Sequence, residues 1–180
     1  MNELVERKFS TGKGIVHYWT SRCSSAPMQN APWLVFLPGL TADHTLFDGQ
    51  IDHFAGKCNV FVWDAPAHGL SRPYPLDFTM DDYARILHAI LQIEDIQRPV
   101  LVGQSLGGYV AQAYMDLFPD CASDFISIDS APLKKKYYPK WEIVALRHVR
   151  VKFFGGACNP FPDDGICHCE NLPIFWLRRP

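Results

Sequence analysis

Apolar residues in this chain come as short continuous runs separated by stretches of helical spacing. Residues 14–19 read as an early strand, followed by a polar turn over 21–30. The runs 32–37, 58–63 and 99–103 are apolar almost throughout, as strands buried on both faces are. A short helix over 46–55 separates the first two. Thr79-Met80-Asp81-Asp82 carries a helix start, with a capping threonine and two acids in the first turn. Behind it Tyr83, Ile86, Leu87, Ile90 and Leu91 recur at helical spacing, which predicts one face laid on a sheet. Residues 106–118 predict a further helix, and 124–129 the last clear core strand. Strands alternating with helices predict an α/β fold, doubly wound, with a mostly parallel sheet and helices on both faces.

From Lys134 onward the pattern changes. Residues 140–152 set Trp141, Val144, Ala145, His148 and Val149 on one side of a helix. After Val151 breakers dominate, and no second strand–helix pair follows. The expected organisation is a core over 1–133, a second region over 134–152 and an irregular tail over 153–180.

Composition narrows the function classes. The 180 residues suit one domain with a substantial core. A formal charge of -2 gives no electrostatic reason to expect nucleic acid or an anionic membrane as partner. Lys134-Lys135-Lys136 is the only basic run, and it reads as a solvated loop. No stretch reaches the roughly 20 apolar residues of a membrane span. The charged first eight residues show no secretory pattern, so a cytoplasmic location is the default expectation. Cys23, Cys58, Cys121, Cys158, Cys167 and Cys169 are then expected as reduced thiols. Cys167-His168-Cys169 in direct succession does not suit one tetrahedral ion, so neither a metal nor a cofactor is expected.

The chemistry lies in three loops. The run 99–103 stops at Gly103-Gln104-Ser105-Leu106-Gly107, and a helical pattern begins at once. A serine set so tightly between strand and helix has a strained backbone and needs tiny residues two before and two after it; Gly103 and Gly107 supply them. Such a turn lifts one hydroxyl out of the fold, where a base can activate it. Serine acyl chemistry also needs two backbone N–H donors for the oxyanion. Leu106 N–H is one candidate. Leu40 N–H, in Leu37-Pro38-Gly39-Leu40 after the first apolar run, is the other. The third loop is Asp64-Ala65-Pro66-Ala67-His68-Gly69-Leu70-Ser71, after the second run.

In this order LPGL, DAPAHGLS and GQSLGG resemble the landmarks of the α/β-hydrolase superfamily, over roughly residues 14–149. Ala67 stands where the resembled pattern commonly has glycine. The resemblance implies a serine hydrolase, or a related acyltransferase, acting on an ester-like or other small carbonyl substrate through an acyl-enzyme at Ser105. Gln104 and His44 are expected to line its pocket, and 134–152 to begin a cap over the site. The superfamily order is nucleophile, acid, histidine. For the acid, Asp129 ends the strand after the elbow helix, and it reads equally as a cap of its own loop. Asp163 or Asp164 with His168 keeps the order but leaves no room for an intervening strand and helix. His17, His44 and His68 precede the serine, the first lying on the early strand and the others at the site mouth or on loops. The expectation is therefore a member cut short after about His148–Val151, with strand 124–129 left as an open edge prone to self-association. The competing reading is a catalytically incomplete remnant or binding module that keeps only the N-terminal half of the fold.

Overall fold

The computed structural model describes residues 4–23, 31–132, 152–153 and 156–157. The chain forms two compact units, Met1–Ala131 and Pro132–Pro180. The first is built on a six-stranded sheet. Its strands are β1 (Val5–Ser10), β2 (Ile15–Ser21), β3 (Trp33–Leu37), β4 (Asn59–Trp63), β5 (Val100–Gln104) and β6 (Asp124–Ile128), in spatial order β1-β2-β4-β3-β5-β6. The pairs β4–β3, β3–β5 and β5–β6 are parallel, whereas β1–β2 and β2–β4 are antiparallel. The expected α/β sheet is thus present, with two antiparallel strands on one flank. In the second unit, the described residues contain one small antiparallel pair, β7 (Lys152–Phe153) with β8 (Gly156–Ala157), where breakers had suggested no element.

Strand β1 was not foreseen, because its sequence has no apolar alternation. Glu6, Arg7 and Lys8 are all exposed, and the strand forms by pairing with β2 in the register Val5↔Thr20 to Ser10↔Ile15. Charge is what an edge strand needs to resist pairing with another molecule. Side-chain bonds fasten it: the ring Nδ1 of His17 lies 2.8 Å from Glu6 Oε1, and Arg7 Nε donates to Thr20 Oγ1 at 3.3 Å and lies 3.4 Å from Glu94 Oε1. The buried Glu94 also accepts from the Tyr18 hydroxyl at 2.8 Å.

The period of two along each strand divides the core. Trp19, Phe36, Val60, Val62 and Val102 face α1 (Asp48–Phe54) and the 3-10 turn His44–Phe47 before it, packing with Phe47 and Ile51. The opposite face carries Phe61, Trp63 and Leu101, covered by α2 (Met80–Ile93) and α3 (Leu106–Leu117), which also pack on each other. Every residue of β4 is buried, which is why its run is continuously apolar. On α2 the buried Tyr83, Leu87, Ile90 and Leu91 bear out the predicted face. Its N-terminus closes as a capping box: Asp82 N–H donates to Thr79 Oγ1 at 3.2 Å, and Thr79 N–H donates to Asp82 Oδ2 at 2.7 Å.

Candidate active site

The turn from β5 into α3 is a single residue at the sheet's carboxyl end. Ser105 sits there with φ 49° and ψ -111°, a left-handed backbone that a residue with a Cβ adopts at a cost of about 1–3 kcal/mol. Four bonds hold it. Its N–H donates to the Ile128 carbonyl at 2.9 Å, while its carbonyl accepts from Gly108 N–H at 3.0 Å and Tyr109 N–H at 3.3 Å. The Ser130 hydroxyl donates to the same carbonyl at 2.8 Å. The glycines are required by contact. A Cβ on Gly103 would stand 2.5 Å from the Gly107 carbonyl oxygen, and one on Gly107 would run into the Leu37 carbonyl. Gly108 makes room for the Ser130 side chain, and a Cβ there would also stand 3.4 Å from the Gly103 carbonyl oxygen of β5.

The loop after β3 lies beside this elbow, since Leu37 is in register with Gly103. A Cβ on Gly39 would meet the Gln104 amide, so the half-buried Gln104 side chain lies across that turn. Leu106 is the first residue of α3, where N–H groups have no intrahelical partner. Among the described residues, neither Leu106 N–H nor Leu40 N–H donates to a protein acceptor. Both lie next to the elbow, at the positive end of a helix dipole in the case of Leu106.

The loop after β4 is organised by Asp64, a fully buried carboxylate to which the sequence reading gave no role. Its Oδ1 accepts from His44 N–H at 2.8 Å and from the ring Nδ1 of His44 at 2.9 Å; its Oδ2 accepts from Leu70 N–H at 2.7 Å. Gly69, at φ +44°, leaves no room for a Cβ over that carboxylate. The Ser71 hydroxyl donates to the Asp64 carbonyl at 2.6 Å and accepts from His17 N–H at 2.9 Å, stitching the loop to β2. Asp64 closing a strand before Pro66 and Gly69 was the available signal. Ser130 left no such signal, since its partner is a carbonyl 25 residues away.

The remaining candidates separate. His44 stacks on Trp19 with ring centroids 3.6 Å apart, and β4 and β3 lie between that strand and β5. His68 is 5% exposed, with Nδ1 donating to the Pro66 carbonyl at 2.9 Å. Burial pushes its pKa down, so the ring is neutral at pH 7. Asp129 directly follows Ile128, whose carbonyl holds Ser105; it is exposed, at φ 50°, and its carboxylate makes no hydrogen bond among the described residues. Nor does any histidine bond the Ser105 hydroxyl among them. His148, Asp163, Asp164, His168 and the Cys167-His168-Cys169 run lie outside the described residues, as does the predicted helix over 140–152 except for Lys152, which falls in β7. Among the described residues there is no metal-ligand cluster and no helix long and apolar enough to cross a membrane.

Comparison with known proteins agrees with this fold. An uncharacterized protein of Mycobacterium tuberculosis is 27% identical over 106 residues, covering 59% of this chain and 31% of the relative. The 2-succinyl-6-hydroxy-2,4-cyclohexadiene-1-carboxylate synthase of Escherichia coli O157:H7 is 39% identical over 80 residues, covering 44% of this chain and 31% of that enzyme. The chain thus spans about a third of the length of these curated relatives. Among solved structures, an alpha/beta hydrolase of Novosphingobium aromaticivorans superposes with a TM-score of 0.64 at 23% identity, over 83% of this chain and 51% of that one. The family model for the alpha/beta hydrolase fold matches residues 32–150, and the chain belongs to that family.

Proposed function

We propose that Ser105 is the nucleophile of a serine hydrolase that acts on an ester-like or other small carbonyl substrate. The observation that carries this reading is the strained Ser105 backbone, held by four bonds at the β5–α3 turn. Strain that the surroundings over-determine is expected where a fold must present one side chain in one place. The hydroxyl attacks the substrate carbonyl, and the tetrahedral oxyanion takes the Leu40 and Leu106 N–H groups, which have no protein acceptor among the described residues. Gln104 lies across Gly39 at this point and borders the bound substrate. His44, bonded to Asp64 and stacked on Trp19, fixes the loop that carries Leu40, and its partly exposed ring is the second candidate, with Gln104, to border the substrate. Asp129, next to the elbow, is the candidate acid, and His168 the candidate base. Hydrolysis and acyl transfer share all these steps up to the acyl-enzyme. No bound cofactor is needed for them.

The free Ser105 hydroxyl among the described residues favours one second reading, a binding module that keeps the fold without the chemistry. Steady-state hydrolysis of p-nitrophenyl butyrate separates the two. The nucleophile reading predicts turnover that Ser105→Ala lowers by at least about 10³-fold with the fold intact. A folded wild-type chain no faster than Ser105→Ala would leave only the binding module.

A further inference from the structure

The antiparallel ladder between β2 and β4 ends at the pair Ser21↔Val60, after Trp19↔Val62 and Thr20↔Phe61. Two residues further out on each strand stand Cys23 and Cys58. Beyond the ladder, hydrogen bonds still tie Cys23 to the segment that carries Cys58. Cys23 N–H donates to Asn59 Oδ1 at 2.8 Å, and the Cys23 thiol donates to the Gly56 carbonyl at 2.9 Å. Those two acceptors flank Cys58 in sequence, so Cys23 is pinned against the segment that contains it. Residues facing each other across an antiparallel pair point to the same side of the sheet, with Cα atoms about 4.5–5.5 Å apart. The ladder register, carried two residues past Ser21↔Val60, sets Cys23 opposite Cys58, and that spacing falls within the window of about 4.4–6.8 Å in which disulfides form. Alternation from Trp19, and from Val62 through Val60, puts both thiols on the α1 side of the sheet, at the rim of its core. Both cysteines are half-buried.

We propose that Cys23 and Cys58 are a redox-active thiol pair, which closes to a cross-strand disulfide on meeting a disulfide oxidant such as glutathione disulfide. One thiolate attacks a sulfur of the oxidant and expels glutathione thiolate, giving a mixed disulfide. The second cysteine, deprotonated, attacks the protein sulfur of that bond and expels the second glutathione. The two cysteines give up two protons and two electrons, and glutathione disulfide is reduced to two glutathione molecules. Burial, and then the neighbouring Cys23 thiol, push the Cys58 thiol up, so closure accelerates as pH rises above neutral. The bond joins the end of β2 to the start of β4 and closes a loop containing β3, the Gly39–Leu40 turn and α1. It is independent of any reading of Ser105.

The test uses the full chain, reduced, shown folded by circular dichroism, and exposed to glutathione disulfide at pH 8. Free thiols are then alkylated, and the chain is digested without reduction. Trypsin cuts after Arg22 and Lys57, so each cysteine begins its own peptide with no other cysteine in it. The expected product is these two peptides joined, about 2 Da lighter than their sum. Cys121→Ser retains the product and Cys58→Ser abolishes it. Closing this loop is also expected to raise the melting temperature of the wild type by roughly 5–10 °C. Recovery of Cys23 and Cys58 as separate alkylated or glutathionylated peptides would overturn the proposal. So would pairing of either one with Cys121, Cys158, Cys167 or Cys169.

Discussion

Ala67 holds φ at 66°, inside the DAPAHGLS loop where the resembled pattern commonly has glycine. A left-handed residue with a Cβ costs roughly 1–2 kcal/mol, offset in part by alanine's smaller entropy loss on folding. Ala67→Gly is therefore expected to stabilise the chain by about 1 kcal/mol, read as a rise in the urea midpoint at unchanged slope. At the elbow the sign reverses: Gly107→Ala drives a methyl group into the Leu37 carbonyl and should leave little folded protein. Ser130→Ala removes the hydroxyl that holds the Ser105 carbonyl, and about 1 kcal/mol of stability with it. His68 adds a pH dependence. Its folded pKa lies below the ordinary value of 6.5 because burial disfavours the charged ring. Its contribution is full above about pH 6.5 and is lost as pH falls from there toward the folded value. His88, also lowered by burial, acts in the same direction. Melting temperatures should thus fall between pH 7 and 5, and His68→Asn should flatten the slope without removing it.

Among the elements, those the sequence disclosed are the ones whose signal is local. The continuous runs of β3, β4 and β5 mark strands covered on both faces, and Thr79 with Asp82 marks the start of α2. Thr79→Ala should cost about 1 kcal/mol, measured by chemical denaturation, since it frees the Asp82 N–H at a helix end. Strand β1 escaped because what makes it a strand is its partner: five of its six residues are exposed and its charges point to no face. Asp64 escaped for a related reason. Its motif was visible, but the three donors that converge on it come from two loops. Asp64→Ala should unpin both loops and cost roughly 3 kcal/mol, because buried donors lose a charged acceptor. The elbow serine and its glycines were legible for the opposite reason, as five consecutive residues, 103–107, define the whole turn.

At the scale of the molecule, the fold places one serine between two loops at the carboxyl end of a sheet, where this class of architecture commonly sets its chemistry. The parallel strands β3 and β5 bring Leu40 and Ser105 together although 65 positions of sequence separate them. The acid and base were not legible in the same way. Asp129 and His168, the candidates for them, carry no local pattern like that of the elbow, and His168 lies outside the described residues. The central claim is that Ser105 is a working nucleophile, and covalent capture tests it without assuming a substrate. Full-length wild type and Ser105→Ala, both folded, are treated with a fluorophosphonate and read by peptide mass spectrometry. The prediction is one adduct on the wild type, located at Ser105, and none on the variant. A folded wild type that stays unlabelled, or a label that persists in Ser105→Ala, would contradict it.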